Sequence, residues 1–238
     1  PPCGIKVHLR KRIPVGAGLG GGSSDAAATL AVLSRIMARR NPAEVPDIEQ
    51  IARELGADVP FFLRGGTQEA AGRGDMLRSL PFPGPHWVLL ACPPVRLSTA
   101  AVYAAYDQLE DKPVGGMSPA TTVTRLRGDD LAGVLTTIRN DLEEAALRCE
   151  PGLSLCRDRL AAAAGRTAVM TGSGSGFFTL YRHGGQARRA YSRLTGDHGL
   201  GPGGEQSRLF LGRFRRGGGW EITSDGGGSG GYRRQLES

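Results

Sequence analysis

The 238-residue sequence predicts an α+β protein, and three observations carry that prediction. Apolar runs of strand length mix with stretches of helical periodicity. The two kinds do not alternate strictly, as they would in a doubly wound parallel sheet. A glycine-rich segment also stands between a strand pattern and a strong helical pattern near the start of the chain.

In chain order, Ile5, Val7 and Leu9 alternate with Lys6, His8 and Arg10, the period of a half-buried strand. Residues 14–25, Pro-Val-Gly-Ala-Gly-Leu-Gly-Gly-Gly-Ser-Ser-Asp, follow. Ala26, Leu30, Leu33 and Met37 then recur at helical spacing, with Ser23, Ser24 or Asp25 as the expected N-cap. A second helix is expected over 46–55, ended by Gly56, with Ile48, Ile51 and Leu55 on one face. Residues 56–63 form an apolar segment interrupted by Asp58. Residues 68–71 and 76–80 flank Gly-Arg-Gly-Asp and predict a hairpin. Trp87–Cys92 predicts a buried strand closed by Pro93-Pro94, and 98–109 a helix, followed by a loop containing Pro113, Gly115 and Gly116. Helices are expected over 130–138, Leu153–Ala164 and 186–194, and strands over 167–170 and Phe177–Tyr181. Beyond residue 196 the pattern degrades; Leu209, Leu211, Trp220 and Ile222 are the remaining strand candidates, and a tail over 213–238 is expected to be disordered.

Composition narrows the function classes. No apolar run approaches the roughly 20 residues of a membrane helix, and no charged region followed by an apolar stretch marks a leader. Cys3, Cys92, Cys149 and Cys156 lack metal-ligand or redox spacing, which suggests reduced thiols and a cytoplasmic protein. The net charge of +7 invites a nucleic-acid partner. Yet the arginines are scattered and aromatics make up only 6% with no stacking motif, so neither nucleic acid nor membrane is expected as a partner. An anionic small molecule accounts for the charge equally well.

The chemistry is concentrated at residues 16–24. So few side chains let backbone amides approach a bound group, and the helix that follows adds unpaired N–H donors and a positive dipole end. Strand, glycine loop and helix together make an anion cradle, most often for phosphate. The Walker Gly-Lys-Ser/Thr ending is absent, as is the acidic residue of a dinucleotide fingerprint. Asp58, between a helix stop and Phe61-Phe62-Leu63, is expected to be partly desolvated and so poised as a base; the other reading is a cap on the Val59-Pro60 turn. For Asp25, a helix-capping carboxylate is the favoured reading over a functional one. Thr99 and Tyr103 share a helix face at i, i+4, although Tyr103 also suits a core position.

Pro14 through Asp25, with the two alanines after it, resembles the second motif of the GHMP kinases, small-molecule kinases named for galactose, homoserine, mevalonate and phosphomevalonate. Residues 170–176, Met-Thr-Gly-Ser-Gly-Ser-Gly, resemble the third motif. Leu55-Gly56-Ala57-Asp58-Val59-Pro60-Phe61-Phe62 and Asn140-Asp141-Leu142-Glu143 resemble segments of the branch that phosphorylates 4-diphosphocytidyl-2-C-methyl-D-erythritol. The resemblance runs from about residue 4 to residue 195.

The resemblance implies a two-domain GHMP fold: a ribosomal protein S5 domain 2-like part, here truncated, over 1–84, and a ferredoxin-like part over 85–212. It implies ATP-dependent phosphorylation of the substrate's 2-hydroxyl, a step of the non-mevalonate route to terpenoids, with ATP and Mg²⁺. Asp58 would be catalytic. Pro14, Gly16, Ala17, Gly18, Leu19, Gly20, Gly21, Gly22, Ser23 and Ser24 would bind ATP, and Ser23 or Ser24 would approach the metal. Thr99 and Tyr103 would contact the cytosine, and Gly172 and Gly174 would flank the substrate. A small cytidyl diphosphate is the expected partner of a monomer or homodimer. Another GHMP kinase with a different acceptor, or a non-catalytic nucleotide-binding module, are the alternatives. The family's lysine and Gly-Tyr-His-like stretch ahead of the loop have no counterpart, since Lys6 and His8 do not match them. An N-terminally incomplete, weakly active copy is therefore expected.

Overall fold

A computed structural model describes residues 4–112, 117–195 and 206–214, together with the backbone of 221–223 and 231–233. The predicted α+β class is borne out. Three helices precede a hairpin: α1 (Gly21–Arg40), α2 (Ile48–Leu55) and α3 (Val59–Arg64), then β1 (Thr67–Ala71) and β2 (Met76–Leu80). α2 begins where Asp47 accepts from the amides of Glu49 and Gln50 at 3.0 and 3.2 Å, and it ends at Gly56. α3 carries Pro60 in its first turn, where a missing N–H costs nothing. Arg64 closes it with a two-pronged bond to Glu49 of α2, both N–O distances 3.0 Å. Ala27, Ala52 and Val59 form the small core these helices share, with Leu30 and Phe62 packed against it.

The larger part is built on β3 (Trp87–Cys92), β4 (Val169–Met170), β5 (Phe177–Tyr181) and β6 (Arg208–Arg213), paired antiparallel in the order β4-β5-β3-β6. Both central strands are largely apolar, with the buried Thr179 the exception in β5, because both faces of the sheet are covered. Alternate residues point to opposite faces. Leu89, Phe177 and Tyr181 join the core made by α4 (Thr99–Asp107), α7 (Glu143–Cys149), α8 (Leu153–Ala164) and α9 (Gly184–Thr195). Val88, Phe178 and Leu180 meet α5 (Pro119–Arg127) and α6 (Leu131–Thr137) on the other side.

The expected strand over 5–9 does not form. Ile5, Val7 and Leu9 are 58%, 62% and 53% exposed, and the segment has no strand pairing among the described residues. An alternating pattern folds as a strand only with a partner ladder and a face to bury. α1 starts at Gly21, ahead of the serines proposed as its N-cap. The segment after Asp58 is helical because Val59 and Pro60 bury against α1 and α2. α5 and α7 were not anticipated: α5 is threonine-rich and α7 is seven residues long, so neither shows a strong apolar period. The glycine loop at 113–116 and Trp220 lie outside the described residues. So does most of the expected tail; within it, Arg213 closes β6, and β7 (Glu221–Thr223) pairs with β8 (Gly231–Arg233).

Cys92 and Cys156 sit buried in or beside the large core and Cys149 is exposed, all three as free thiols. Burial pushes the Cys92 thiol up to about 12, with Cys156 adding to the shift and Arg208 opposing it. Burial likewise pushes Cys156 up to about 11, against a hydrogen bond to Ser207. Folding therefore favours the protonated thiols. That stability is complete below the ordinary thiol value of 9.0 and is lost as pH rises toward the folded values. Between pH 9 and 11 each thiol should remove about 1.4 kcal/mol of unfolding free energy per pH unit. Urea unfolding of the wild type against Cys92→Ala across that range should show a shallower alkaline decline in the variant. Alkylation of the native protein at pH 8 should label Cys149 and spare Cys92 and Cys156.

Candidate active site

The glycine loop and the second glycine turn meet backbone to backbone. Thr171 Oγ1 donates to Ala17 O at 2.7 Å, the amide of Ser175 to Gly16 O at 3.2 Å, and the amide of Gly176 to Ala17 O at 3.3 Å. No side chain fits between them. A Cβ on Gly18, where φ is +66°, would overlap Thr171 O, and one on Gly172 would lie 2.8 Å from Gly18 O. Ser175 Oγ adds a 2.6 Å bond to Val95 O, which ties the turn to the chain leaving β3. Thr99 Oγ1 lies 2.9 Å from Ser173 Oγ, so the start of α4 is fastened to the same turn.

Asn140 holds the second turn from behind. Its Nδ2 donates to Met170 O at 3.0 Å and Gly172 O at 2.7 Å, while its Oδ1 accepts from the Leu142 amide at 2.9 Å. Glu143, at the start of α7, accepts from the Met170 amide at 3.3 Å and pairs with Arg157. The segment 140–143 is thus a bracket for the glycine turn, a role the sequence did not disclose.

The start of α1 is left open. Gly20, in the left-handed region at φ 63°, is the N-cap, and no side chain caps the helix. Ser24 is the first residue whose amide bonds back, to Gly20 O at 2.9 Å. The amides of Gly21, Gly22 and Ser23 therefore have no carbonyl of the helix to bond. Ser24 Oγ donates to Gly21 O at 2.8 Å and does not cap. Asp25 is not in the first turn either; it pairs with Lys11 beside the cavity, which corrects the capping reading. A Cβ on Gly20 would lie 2.5 Å from the Phe62 ring, so the loop rests against α3.

These parts surround one cavity of about 720 Å³. Of the residues singled out in the sequence, Pro14, Gly16, Ala17, Gly18, Leu19, Gly20, Gly21, Gly22, Asp58, Thr99, Tyr103, Gly172 and Gly174 all line it. Ser23 and Ser24 do not. Tyr103 is 53% exposed, which excludes the core position. Asp58 is at the N-cap position of α3 with no side-chain capping bond, and it is exposed rather than desolvated, because Val59 and Pro60 take up the burial next to it. Arg10, Lys11 and Arg12 also line the cavity. Their signal was the run of three cations just ahead of the loop, hidden under the expected strand. Among the described residues no cluster of His, Cys, Asp or Glu is arranged to hold a metal ion, and no helix is long and apolar enough to cross a membrane.

Comparison with known proteins fits this geometry. The family model described as the GHMP kinases N terminal domain matches residues 1–66. The 4-diphosphocytidyl-2-C-methyl-D-erythritol kinase of Moorella thermoacetica is 39% identical over 195 residues, covering 80% of this chain and 67% of the relative. The chain belongs to this family of GHMP kinases. The Exiguobacterium sibiricum member is 38% identical over 195 residues, 81% of this chain and 66% of its own length. A crystal structure of 4-(cytidine 5'-diphospho)-2C-methyl-D-erythritol kinase superposes with a TM-score of 0.67 at 37% identity, covering 85% of this chain and 68% of that one. The chain thus spans about two thirds of the length of the family members it matches.

Substitutions separate the packing role of the glycines from their openness to the cavity. Gly18→Ala places a methyl group on the Thr171 carbonyl and demands φ +66° of an alanine, so it should destabilise by at least about 2 kcal/mol in urea unfolding. Gly22→Ala meets nothing within 4 Å and should raise helix stability by up to about 1 kcal/mol. Asn140→Ala leaves two carbonyls without their donor and should cost about 1–3 kcal/mol. Equal effects of Gly18→Ala and Gly22→Ala would contradict the interlock.

Proposed function

We propose that the chain carries the ATP-dependent phosphorylation of the 2-hydroxyl of 4-diphosphocytidyl-2-C-methyl-D-erythritol. One observation carries the proposal: the uncapped start of α1, the two glycine turns and Asp58 border a single cavity. Phosphoryl transfer asks chiefly for positioning and for stabilisation of spreading negative charge. The amides of Gly21, Gly22 and Ser23 are directed, rigid donors for the ATP phosphates. Asp58 orients the attacking hydroxyl and accepts its proton; the substrate itself supplies the burial that the exposed carboxylate otherwise lacks. Tyr103 stacks on the cytosine with Thr99 beside it, and Gly172 and Gly174 let the diphosphate approach the backbone.

The donor set fits a Mg²⁺ held chiefly by the nucleotide's own phosphate oxygens, because the only carboxylates lining the cavity are Asp25, already paired with Lys11, and Asp58. The ion would neutralise charge on the transferring group. We assign 1–84 to the nucleotide-binding part and 85–212 to the second part; the separate cores around Ala27 and around Leu89 support that division. We place the protein in the cytoplasm, where its nucleotide is found, as a monomer or homodimer.

A coupled ADP-release assay tests the assignment. Turnover should be seen with the cytidyl substrate in preference to homoserine and mevalonate. Asp58→Asn should lower kcat by about 10²–10⁴-fold, while calorimetric ATP affinity stays within about threefold of wild type because Asp58 contributes no phosphate donor. Tyr103→Ala should weaken binding of cytidine diphosphate by about tenfold, the worth of one stacked base. Near wild-type turnover in Asp58→Asn, or faster phosphorylation of homoserine, would overturn it.

A further inference from the structure

A second, smaller cavity of about 170 Å³ lies where the end of α8, the end of β5 and one face of α9 meet. It is lined by Arg166, Arg189 and Arg193, by Tyr181 and by Gln186, and by no acidic residue. Nothing among the described residues forms a salt bridge to any of the three arginines. Two of them have structural bonds: Arg166 Nη1 donates to Leu180 O at 2.9 Å and Arg193 Nη1 to Ala163 O at 3.2 Å. Those bonds engage one nitrogen of each guanidinium.

The buried wall is more telling than the charged rim. Tyr181 is 1% exposed, and its hydroxyl has no hydrogen-bond partner. Arg166 Nε is likewise buried and unpartnered, although the guanidinium lies over the Tyr181 ring at 4.7 Å from its centroid. A buried polar group without a partner costs about 1–3 kcal/mol, and both of these belong to residues that line the cavity, so an acceptor seated against them would relieve that cost. A water molecule would satisfy the hydroxyl but would not offset three guanidinium charges. Burial raises the Tyr181 phenol above its ordinary value, with Arg166 and Arg193 opposing, so the hydroxyl is a donor at neutral pH. Among the side chains that line this cavity, every polar group apart from the Gln186 amide oxygen can donate a hydrogen bond.

We infer that this cavity is a binding site for a small oxyanion of the phosphate class, either inorganic phosphate or the phosphoryl end of a small metabolite. Its volume suits one such group. It is separate from the candidate active site. Tyr181 ends β5, whereas the glycine turn immediately precedes Phe177 at the other end of that strand. Four residues of strand separate the two by about 14 Å. The arginine pair Arg189 and Arg193 also lie one turn apart on α9, the spacing that presents both to one ligand. The inference does not depend on the proposed kinase activity.

The experiment follows arginine side-chain Nε–H and backbone amide resonances of the folded chain during titration with inorganic phosphate, and with the phosphorylated cytidyl compound as a second probe. Saturable shifts at Arg166, Arg189 and Arg193, distinct from any at residues 16–24, are expected. Arg189→Glu should weaken this binding by roughly tenfold or more, and Tyr181→Phe, which keeps the ring and removes the donor, by about tenfold. Circular dichroism confirms that each variant is folded, and the wild-type map decides the matter alone if one is not. Response only at the glycine loop, no saturation, or unchanged affinity in both variants would overturn the site. Saturation by phosphate but not by the cytidyl compound identifies the free ion as the ligand; the reverse identifies a metabolite.

Discussion

Everything at the candidate active site depends on two backbones lying against each other with nothing between them. The bonds from Thr171, Ser175 and Gly176 to the carbonyls of Gly16 and Ala17 are ordinary in length. Their consequence is larger than their strength. The first loop belongs to the helical part around Ala27 and the second turn to the sheet around Leu89, so this seam sets how the two cores meet. It places Asp58, carried by α3, and Thr99 and Tyr103, carried by α4, around the same cavity. Glycine is required at 18 and 172 because even one methyl group would hold the two chains apart.

Much of this was legible in the sequence, because local chemistry dictates it. The strands Trp87–Cys92 and Phe177–Tyr181 announce themselves by apolar runs that need cover on both faces, and the structure supplies helices on each side. The loop, Asp58 and Tyr103 could be picked out by residue type and spacing, and all line the cavity. The failures share a cause: they concern partners distant in the chain. The alternation at 5–9 has a strand's pattern but no ladder to join. Asp58 reads as desolvated beside Phe61 and Phe62, yet those rings sit on the helix that follows while Asp58 itself is exposed and borders the cavity. Asn140 bonds to carbonyls 30 and 32 residues away, and no short-range pattern foretells that.

The two cavities surround themselves with charge differently. At the larger one, Arg10, Lys11 and Arg12 face two carboxylates, Asp25 and Asp58, and Lys11 is paired with Asp25. At the smaller one, guanidinium groups stand unopposed around a phenol. Directed donors suit a ligand that must be aligned for reaction; an unbalanced field suits one that need only be held.

The bare start of α1 has a thermodynamic consequence. A helix of twenty residues would ordinarily gain about 1 kcal/mol from a capping side chain, and this one has serines and an aspartate close by that do not serve. Its first-turn amides are left to water or to a bound anion. An anion bound there would act as a structural part as well, and the folded population would rise with its concentration above its dissociation constant. A protein so stabilised would have its persistence tied to supply of that ligand, and starvation for it would be felt first as fraying of one helix.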